Sequence, residues 1–308
     1  MHQARMLSIG WDVHKASITV AYVAKAHHAA VVSLGLGTRQ GDIDTLMRQR
    51  PSQSTPLVFV DDAGPCGDWL DRSLTNTGHV CWVVAPSLLP TKPGDRGKTN
   101  RRDALKLARL MRAGDRTPVD VPQGEDAALR DLCRARADAI RALQAAKFQR
   151  KALLLRHDIR STGRATWRPA PLWWLSEVVC PTPAQQIVFH TSVRAVTDHP
   201  ERLARLAQAR TDPVQTWRLA PVVDALQALR GVPYPVAVST VAARGAIPRF
   251  DHPRPLMHSL GFTPSEDSTG ERRHQGGMPK TGTSHARRAL VEGAGAARSP
   301  ANISRHLP

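Results

Sequence analysis

No apolar run in this chain approaches the roughly 20 residues needed to cross a bilayer. The opening MHQARMLSIGWD has no apolar stretch ahead of a small-residue cleavage site. Neither a spanning helix nor a secretory leader is expected, and the chain reads as cytoplasmic with no membrane partner. Cysteine is sparse. Cys66, Cys81, Cys133 and Cys180 form no CxxC pair and match no zinc-ligand spacing. They read as reduced, half-buried thiols rather than as a disulfide framework. Acids are scarce as well: 26 Asp and Glu stand against 43 Lys and Arg, a net charge of +17 over 308 residues. The basic excess runs along the whole chain. A folded protein this basic binds a polyanion or an anionic surface. With no membrane segment, nucleic acid is the expected partner.

The chain is long enough for two cores. Residues 7–23 and 29–36 read as the strands of a hairpin, with VAKAHHAA around the turn. Within the first run, LSIGWDVHKASITVAYV sets Asp12 at the end of one β-rich segment, before a polar turn and a second. GDIDTLMRQR reads as a short helix, Leu57–Val60 as a buried strand ending in acids, and 67–76 as a helix. HVCWVVAP reads as another buried strand. NRRDALKLARLMRAG is an amphipathic helix with Ala104, Leu105, Ala108, Leu110 and Met111 on one side, and Gly114 stops it. Together these predict an α/β core of about 120 residues, an ordinary domain size.

Residues 125–157 predict a long helix with Leu129, Leu132, Ile140, Leu143, Leu153 and Leu154 on a stripe beside many Arg and Lys. Residues 158–182 read as a linker or helical corner anchored by Trp167, Trp173 and Trp174, and 184–229 as a return helix broken near Pro200 and Pro213. Short helices are expected after Gly231 and at 253–260, then a Gly, Ser, Thr and Arg-rich loop, then a helix near 284–297.

Two features carry chemistry. Phosphodiester cleavage with two metals needs carboxylates converging on divalent ions, and magnesium fits hard oxygen ligands best. Asp12, Asp61 or Asp62, and Asp103 all fall at element ends on one edge of the predicted sheet. Strand side chains alternate, so Asp61 and Asp62 cannot both face one metal. Asp103 opens a helix, where the dipole tolerates an anion. The second feature is STGERRHQGGMPKTGTSHARR, which has the composition of a phosphate-gripping loop. Arg272, Arg273, Lys280, Arg287 and Arg288 supply charge, and Gly270, Gly276, Gly277 and Gly282 allow close backbone approach.

These segments together resemble the DEDD transposases of the insertion-sequence-110 family, including its 1111 branch. IGWDVHK is similar to the family's opening I-G-x-D-x-H-K, and DDAGPCG to its E-A-G-P-x-G. VVAPSLLPTKPGDRGKTNRRDALKLARLMRAG resembles its long G-D-R-x-K-T-D-x-x-D-A block. FDHPRPLMHSLGFTPSEDSTGERRHQGGMPKTGTSHARRALVE resembles its second region with the S-S-G loop. The resemblance implies a RuvC-like, RNase H-class N-terminal domain over 5–122, a helical coiled-coil arm over 123–222, and a mostly helical C-terminal transposase domain over 223–308. It implies a DNA transposase of an insertion sequence that cuts and rejoins strands with Mg2+, a structured guide RNA, and a homo-oligomer, dimer or tetramer.

Residue by residue, the family's four acids fall on Asp12, Asp62, Asn100 and Asp103, of which Asp12, Asp62 and Asp103 are metal ligands. The nucleophilic serine falls on Thr269, with Ser268 beside it. Three positions depart from the pattern. Asp62 is one methylene shorter than Glu, Asn100 offers a carbonyl without charge, and Thr269 adds a methyl next to the attacking hydroxyl. These departures predict a weakened or decayed copy, and a second reading is a catalytically inactive DNA- or RNA-binding relic. A third class, an actin-like sugar or acetate kinase, also begins with strand, acidic turn and strand. It requires a second similar half with a glycine-rich adenosine loop, which this sequence does not contain.

Overall fold

The computed structural model describes residues 7–23, 32–49, 57–64, 66–86, 89–90, 97–114, 118–160 and 172–298. The VAKAHHAA turn, apart from Val23, and Trp167 lie outside them. The chain divides into two compact units, residues 1–123 and 124–308.

The first unit is built on a mixed sheet of six strands: β1 (Leu7–Val13), β2 (Ile18–Val23), β3 (Val32–Leu36), β4 (Leu57–Asp62), β5 (Val80–Val84) and β6 (Pro118–Val119). Their spatial order is β3-β2-β1-β4-β5-β6. β1, β2 and β3 form an antiparallel meander, β4 and β5 run parallel to β1, and β6 closes the far edge antiparallel. The run 7–23 is therefore two strands rather than one. His14 N donates to Ser17 O (2.9 Å) and folds the polar HKAS segment into the turn between them. A two-residue strand such as β6 carries no periodic signal.

Alternation divides the sheet into two faces. Ile9, Trp11, Val20 and Phe59 pack with Ile43 and Leu46 of α1 (Gln40–Gln49) and with Leu70 and Leu74 of α2 (Asp68–Asn76). On the other face Val58, Val60 and Val84 pack with Leu107 and Met111 of α3 (Asn100–Ala113). Leu107, absent from the predicted stripe, is 1% exposed, whereas Leu105 and Leu110 are only half-buried. Both ends of α3 follow local chemistry. The Thr99 side chain accepts from Arg102 N, and Gly114 takes the left-handed stop at φ 78°.

The second unit is helical. α4 (Gly124–Arg156) has 33 residues and packs against α6 (Pro183–Thr197) and α7 (His199–Gln215). Thr182 and Gln185 form a reciprocal capping box at the start of α6. The return segment breaks at Asp198, ahead of Pro200, as expected. A second break also comes near Pro213, as expected: α7 runs two residues past it to Gln215, since a Pro in the final turn costs one backbone bond, and the next helix begins at Ala220. The remaining helices are α5 (Leu172–Glu177), α8 (Ala220–Gln227), α9 (Tyr234–Arg244), α10 (Pro253–Ser259) and α11 (Ser284–Arg298). Trp174 packs on the cluster around Phe189, but Trp173 is 65% exposed and anchors nothing. The aromatic pair sits on one short helix, so the two rings point to different sides.

All four cysteines are free; Cys180 is buried and the others half-buried. No helix among the described residues is long and apolar enough to cross a membrane.

Candidate active site

The acid site begins with a pairing offset. β1 and β4 pair from Leu7 with Leu57 to Gly10 with Val60, where the ladder ends; continuing that offset of fifty by two residues sets Asp12 opposite Asp62, whose charge acts on Asp12. Both side chains leave the sheet on the face that carries Val60 and α3. Adjacent strands lie about 4.8 Å apart, so the two carboxylates are neighbours. Asp61 belongs to the opposite face, level with Trp11.

Gly10 brings α3 into this arrangement. It lies two residues before Asp12 on the same face, and a Cβ there would stand 2.0 Å from Ala104 O and 2.7 Å from Ala108 N. Only a hydrogen lets the helix backbone lie directly on β1. The first turn of α3, with Asn100 exposed at its start and Asp103 half-buried, thus sits beside the end of β1.

Electrostatics agree. Asp12 is 8% exposed. Its pKa is raised, first by burial, while His14 pulls it down and the charges of Asp62 and Asp103 push it up. Asp12 Oδ2 is buried without a hydrogen-bond partner and lies 3.4 Å from His14 Nε2. A buried carboxylate facing two like charges is what a bound cation relieves. Among the described residues, however, no three His, Cys, Asp or Glu groups stand close enough to hold a metal ion. The acids fit a divalent ion by donor type and by shared face, and the set is open rather than closed into a cage.

Two further residues bear on this site: His14, which the sequence reading did not single out, and Asp61, the alternative to Asp62. His14 Nε2 lies 3.4 Å from Asp12 Oδ2, and the D-x-H spacing was its signal in the sequence. Asp61 is 3% exposed and has no hydrogen bond to either carboxylate oxygen. Burial, followed by the charge of Asp62, pushes its pKa up to about 8. A Cβ on Gly67 would meet Asp61 Oδ2 at 2.1 Å, so the missing side chain leaves the space this carboxyl fills.

The hydroxyl site lies in the second unit, and the basic loop there is ordered into a small hairpin. Bridges join Glu266 to Gln275 and Thr269 to Arg272. Thr269 N donates to Arg272 O (3.0 Å) and Arg272 N to Thr269 O (3.1 Å), which closes a two-residue turn. Gly270 occupies its first central position at φ 60°, the sign that a type II′ turn demands there. Thr269 and Ser268 are both exposed next to the tip. Ser268 Oγ donates to Glu266 Oε1 (2.8 Å) and accepts from His274 N (3.3 Å).

The predicted cations divide by role. Arg272, Lys280 and Arg288 are exposed, and Lys280 holds a positive φ of 55°. Arg273 Nε lies 3.6 Å from Glu266 Oε1. Arg287 is half-buried and donates to Leu260 O (2.9 Å) and Thr281 O (2.8 Å), which ties the loop to the end of α10.

Comparison with known proteins bears on both sites. A profile of DEDD transposases of the IS110 type, described as transposase, matches residues 9–158. A second, described as transposase of the IS116/IS110/IS902 family, matches residues 223–306. The protein y4qE of Sinorhizobium fredii, named as a transposase, is 39% identical over 298 residues, covering 96% of this chain and 73% of the relative. The transposase for insertion sequence element IS1533 of Leptospira borgpetersenii is 29% identical over 238 residues, 76% of this chain and 68% of the relative. The transposase for insertion sequence element IS1111A of Coxiella burnetii is 26% identical over 249 residues, 77% of this chain and 64% of the relative. With family profiles matched over residues 9–158 and 223–306 and a 39% identical relative aligned over 96% of this chain, the chain belongs to the IS110 family of insertion-sequence transposases.

Proposed function

We propose that this transposase cuts and rejoins DNA strands with two groups of residues: the acids beside α3 and the hydroxyls at the tip of the 266–275 hairpin. The observation that carries the proposal is the shared register and face of Asp12 and Asp62, with Asp103 acting on the same buried carboxylate. Asp12, Asp62 and Asp103, with the carbonyl oxygen of Asn100, would hold magnesium. A bound divalent ion would supply charge neutralisation at a DNA phosphate and a lowered pKa for an attacking hydroxyl. The rest falls to the protein's own groups. The Thr269 hydroxyl at the hairpin tip attacks a DNA phosphorus, forming a protein O–P bond as the strand's P–O bond breaks and the leaving sugar oxygen takes up a proton. Ser268, whose hydroxyl proton is already directed at Glu266, is the alternative nucleophile. Arg272, Arg273, Lys280 and Arg288 hold the strand by its phosphates. Arg287 keeps the loop in place.

The reading assigns a RuvC-like, RNase H-class fold to residues 5–122, a helical arm to 123–222 and the C-terminal transposase domain to 223–308. The antiparallel meander continued by parallel β4 and β5 supports the first, and the 33-residue α4 the second. A structured guide RNA and a homo-oligomer complete the reading.

The experiment is strand cleavage of DNA in magnesium by the wild-type chain, Asp12→Ala, Thr269→Ala and Ser268→Ala. Loss in Asp12→Ala, together with loss in one hydroxyl variant, is expected. Undiminished cleavage in Asp12→Ala and in both hydroxyl variants would remove the site. The departures at Asp62, Asn100 and Thr269, with the open acid set, favour a second reading: a relic that binds nucleic acid without cutting it. A covalent protein–DNA adduct trapped in magnesium would eliminate that reading.

A further inference from the structure

The second unit contains a cavity of about 240 Å³ between α4, α9 and α11. Its walls include Cys133, Arg134, Arg136, His285, Arg288 and Glu292. Arg130 also reaches it, but its guanidinium is bound to Ala242 O and Ala243 O at the end of α9. Among the described residues, Arg134, Arg136 and Arg288 make no ion pair or hydrogen bond to a carboxylate, and Glu292 is the one acid in the lining. Behind Cys133 lies Arg210, 3% exposed, with Nε and Nη1 buried and lacking hydrogen-bond partners. Arg136's own burial first, then the charge of Arg210, lowers the pKa of Arg136, while Cys133 and Glu292 oppose the shift. Burial and the charges of Arg134 and Arg141 hold His285 below its ordinary pKa, with Asp138 opposing and Arg288 adding to the depression. The N-terminus of the 15-residue α11 opens beside the cavity through Thr283 and His285.

Arg134 and Arg288 are exposed at the cavity, and the half-buried Arg136 has Glu292 as its opposing charge, so the hollow offers three guanidinium groups against one carboxylate to an entering anion. The anion's chemistry is also constrained. Guanidinium forks match the oxygens of a phosphate, and a helix N-terminus adds backbone donors aimed the same way. A net charge of +17 makes a polyanion the expected source.

We propose that this cavity is a phosphate-binding site that takes the sugar–phosphate backbone of a nucleic acid strand, separately from the hairpin tip. It rests on the nucleic-acid-binding part of the proposed function but on none of its cutting chemistry. The test therefore uses the full chain without divalent ions. Binding of a labelled single-stranded DNA, its duplex and an RNA of the same sequence is measured against salt concentration. In parallel, alkylation of Cys133 is followed by peptide mass mapping. Bound nucleic acid should slow modification of Cys133 and leave Cys180, in the separate cluster around Phe189, unchanged. Arg134→Ala combined with Arg136→Ala, neither of which belongs to the hairpin set, should flatten the salt dependence by ~0.7 per lost contact for a single strand and ~0.9 for a duplex. Arg134→Lys with Arg136→Lys should restore most of the affinity, which separates lost charge from lost folding. The arm with the largest loss identifies DNA or RNA as the occupant. Unchanged Cys133 reactivity under saturating nucleic acid, or an unchanged salt slope in the double alanine variant, would overturn the proposal. If Arg272→Ala with Arg273→Ala weakens binding while the cavity variant does not, the hairpin reading survives and the cavity fails.

Discussion

Gly10→Ala tests whether the helix–strand contact builds the acid site. The added methyl would stand 2.0 Å from Ala104 O and 2.7 Å from Ala108 N, both backbone atoms of α3. No side-chain rotation relieves that overlap. Restoring ordinary van der Waals contact requires α3 to retreat by roughly 1.4 Å, which loosens every close contact it makes. Those contacts include Ala104, Leu107, Ala108 and Met111, all buried. Overpacking a close-packed site costs ~1–3 kcal/mol, and a rigid backbone on both sides places this case at the upper end. For a unit of 123 residues, ~3 kcal/mol lowers its melting temperature by about 10 °C. The same retreat draws Asp103 away from Asp12. A misplacement of ~1 Å in a catalytic group can reduce rate about a hundredfold, so cleavage should fall even well below the melting temperature. Scanning calorimetry of the first unit's transition and magnesium-dependent cleavage are the paired assays. Gly41→Ala is the control. Nothing lies within 4 Å of its added methyl, and in a helix the change should stabilise by up to ~1 kcal/mol. A melting temperature for Gly10→Ala within about 1 °C of wild type would refute the close-contact reasoning.

Asp61 should make stability depend on pH. Its pKa is raised from 3.8 to about 8 in the fold, so the folded state binds a proton that the unfolded chain releases. The stability is full below the unfolded pKa and declines as pH rises from about 4 to about 8. Thermal melts without divalent ions should show this decline, and Asp61→Asn should flatten it; an identical slope in the variant would contradict the assignment. In the second unit, Asp126 accepts from Trp217 Nε1 (2.6 Å) and pairs with Arg218. Asp126→Ala leaves the buried indole N–H unpaired and should destabilise by ~1–3 kcal/mol in denaturant titrations, whereas Asp126→Asn should lose less. Asn100→Asp with Thr269→Ser restores the family's residues at two departures and should raise strand cleavage. No change from either would mean that these positions do not limit the reaction.

Local chemistry made much of the fold legible. The α3 boundaries follow from Thr99 and Gly114, and β4 and β5 from short apolar runs bounded by turn residues. What could not be read is what depends on partners distant in sequence. The level pairing of Asp12 with Asp62 is a matter of strand register, and no local pattern encodes an offset of fifty residues. Alternation did separate Asp61 from Asp62 beforehand, because a two-residue period is local. The exposure of Trp173 is decided by what packs opposite it, whereas Leu107 completes the i, i+3, i+4, i+7 spacing of Ala104, Leu107, Ala108 and Met111, so its burial follows from the local period. The family motifs pointed to Thr269, yet the hydroxyl held by a carboxylate is that of Ser268, and only the hairpin's cross-strand geometry shows this.

The alignment of the first acid with the second also limits how this gene can drift. Losing or gaining one codon within β4 would turn Asp61 outward and bury Asp62 against Trp11, exchanging the pair's identities. Two codons would preserve the facing and shift only the level. Length changes between β1 and β4 leave the pairing intact, because each strand finds its neighbour by its own apolar pattern and not by counting the residues between them. Inheritance should therefore tolerate ragged lengths between these two strands and almost none within them.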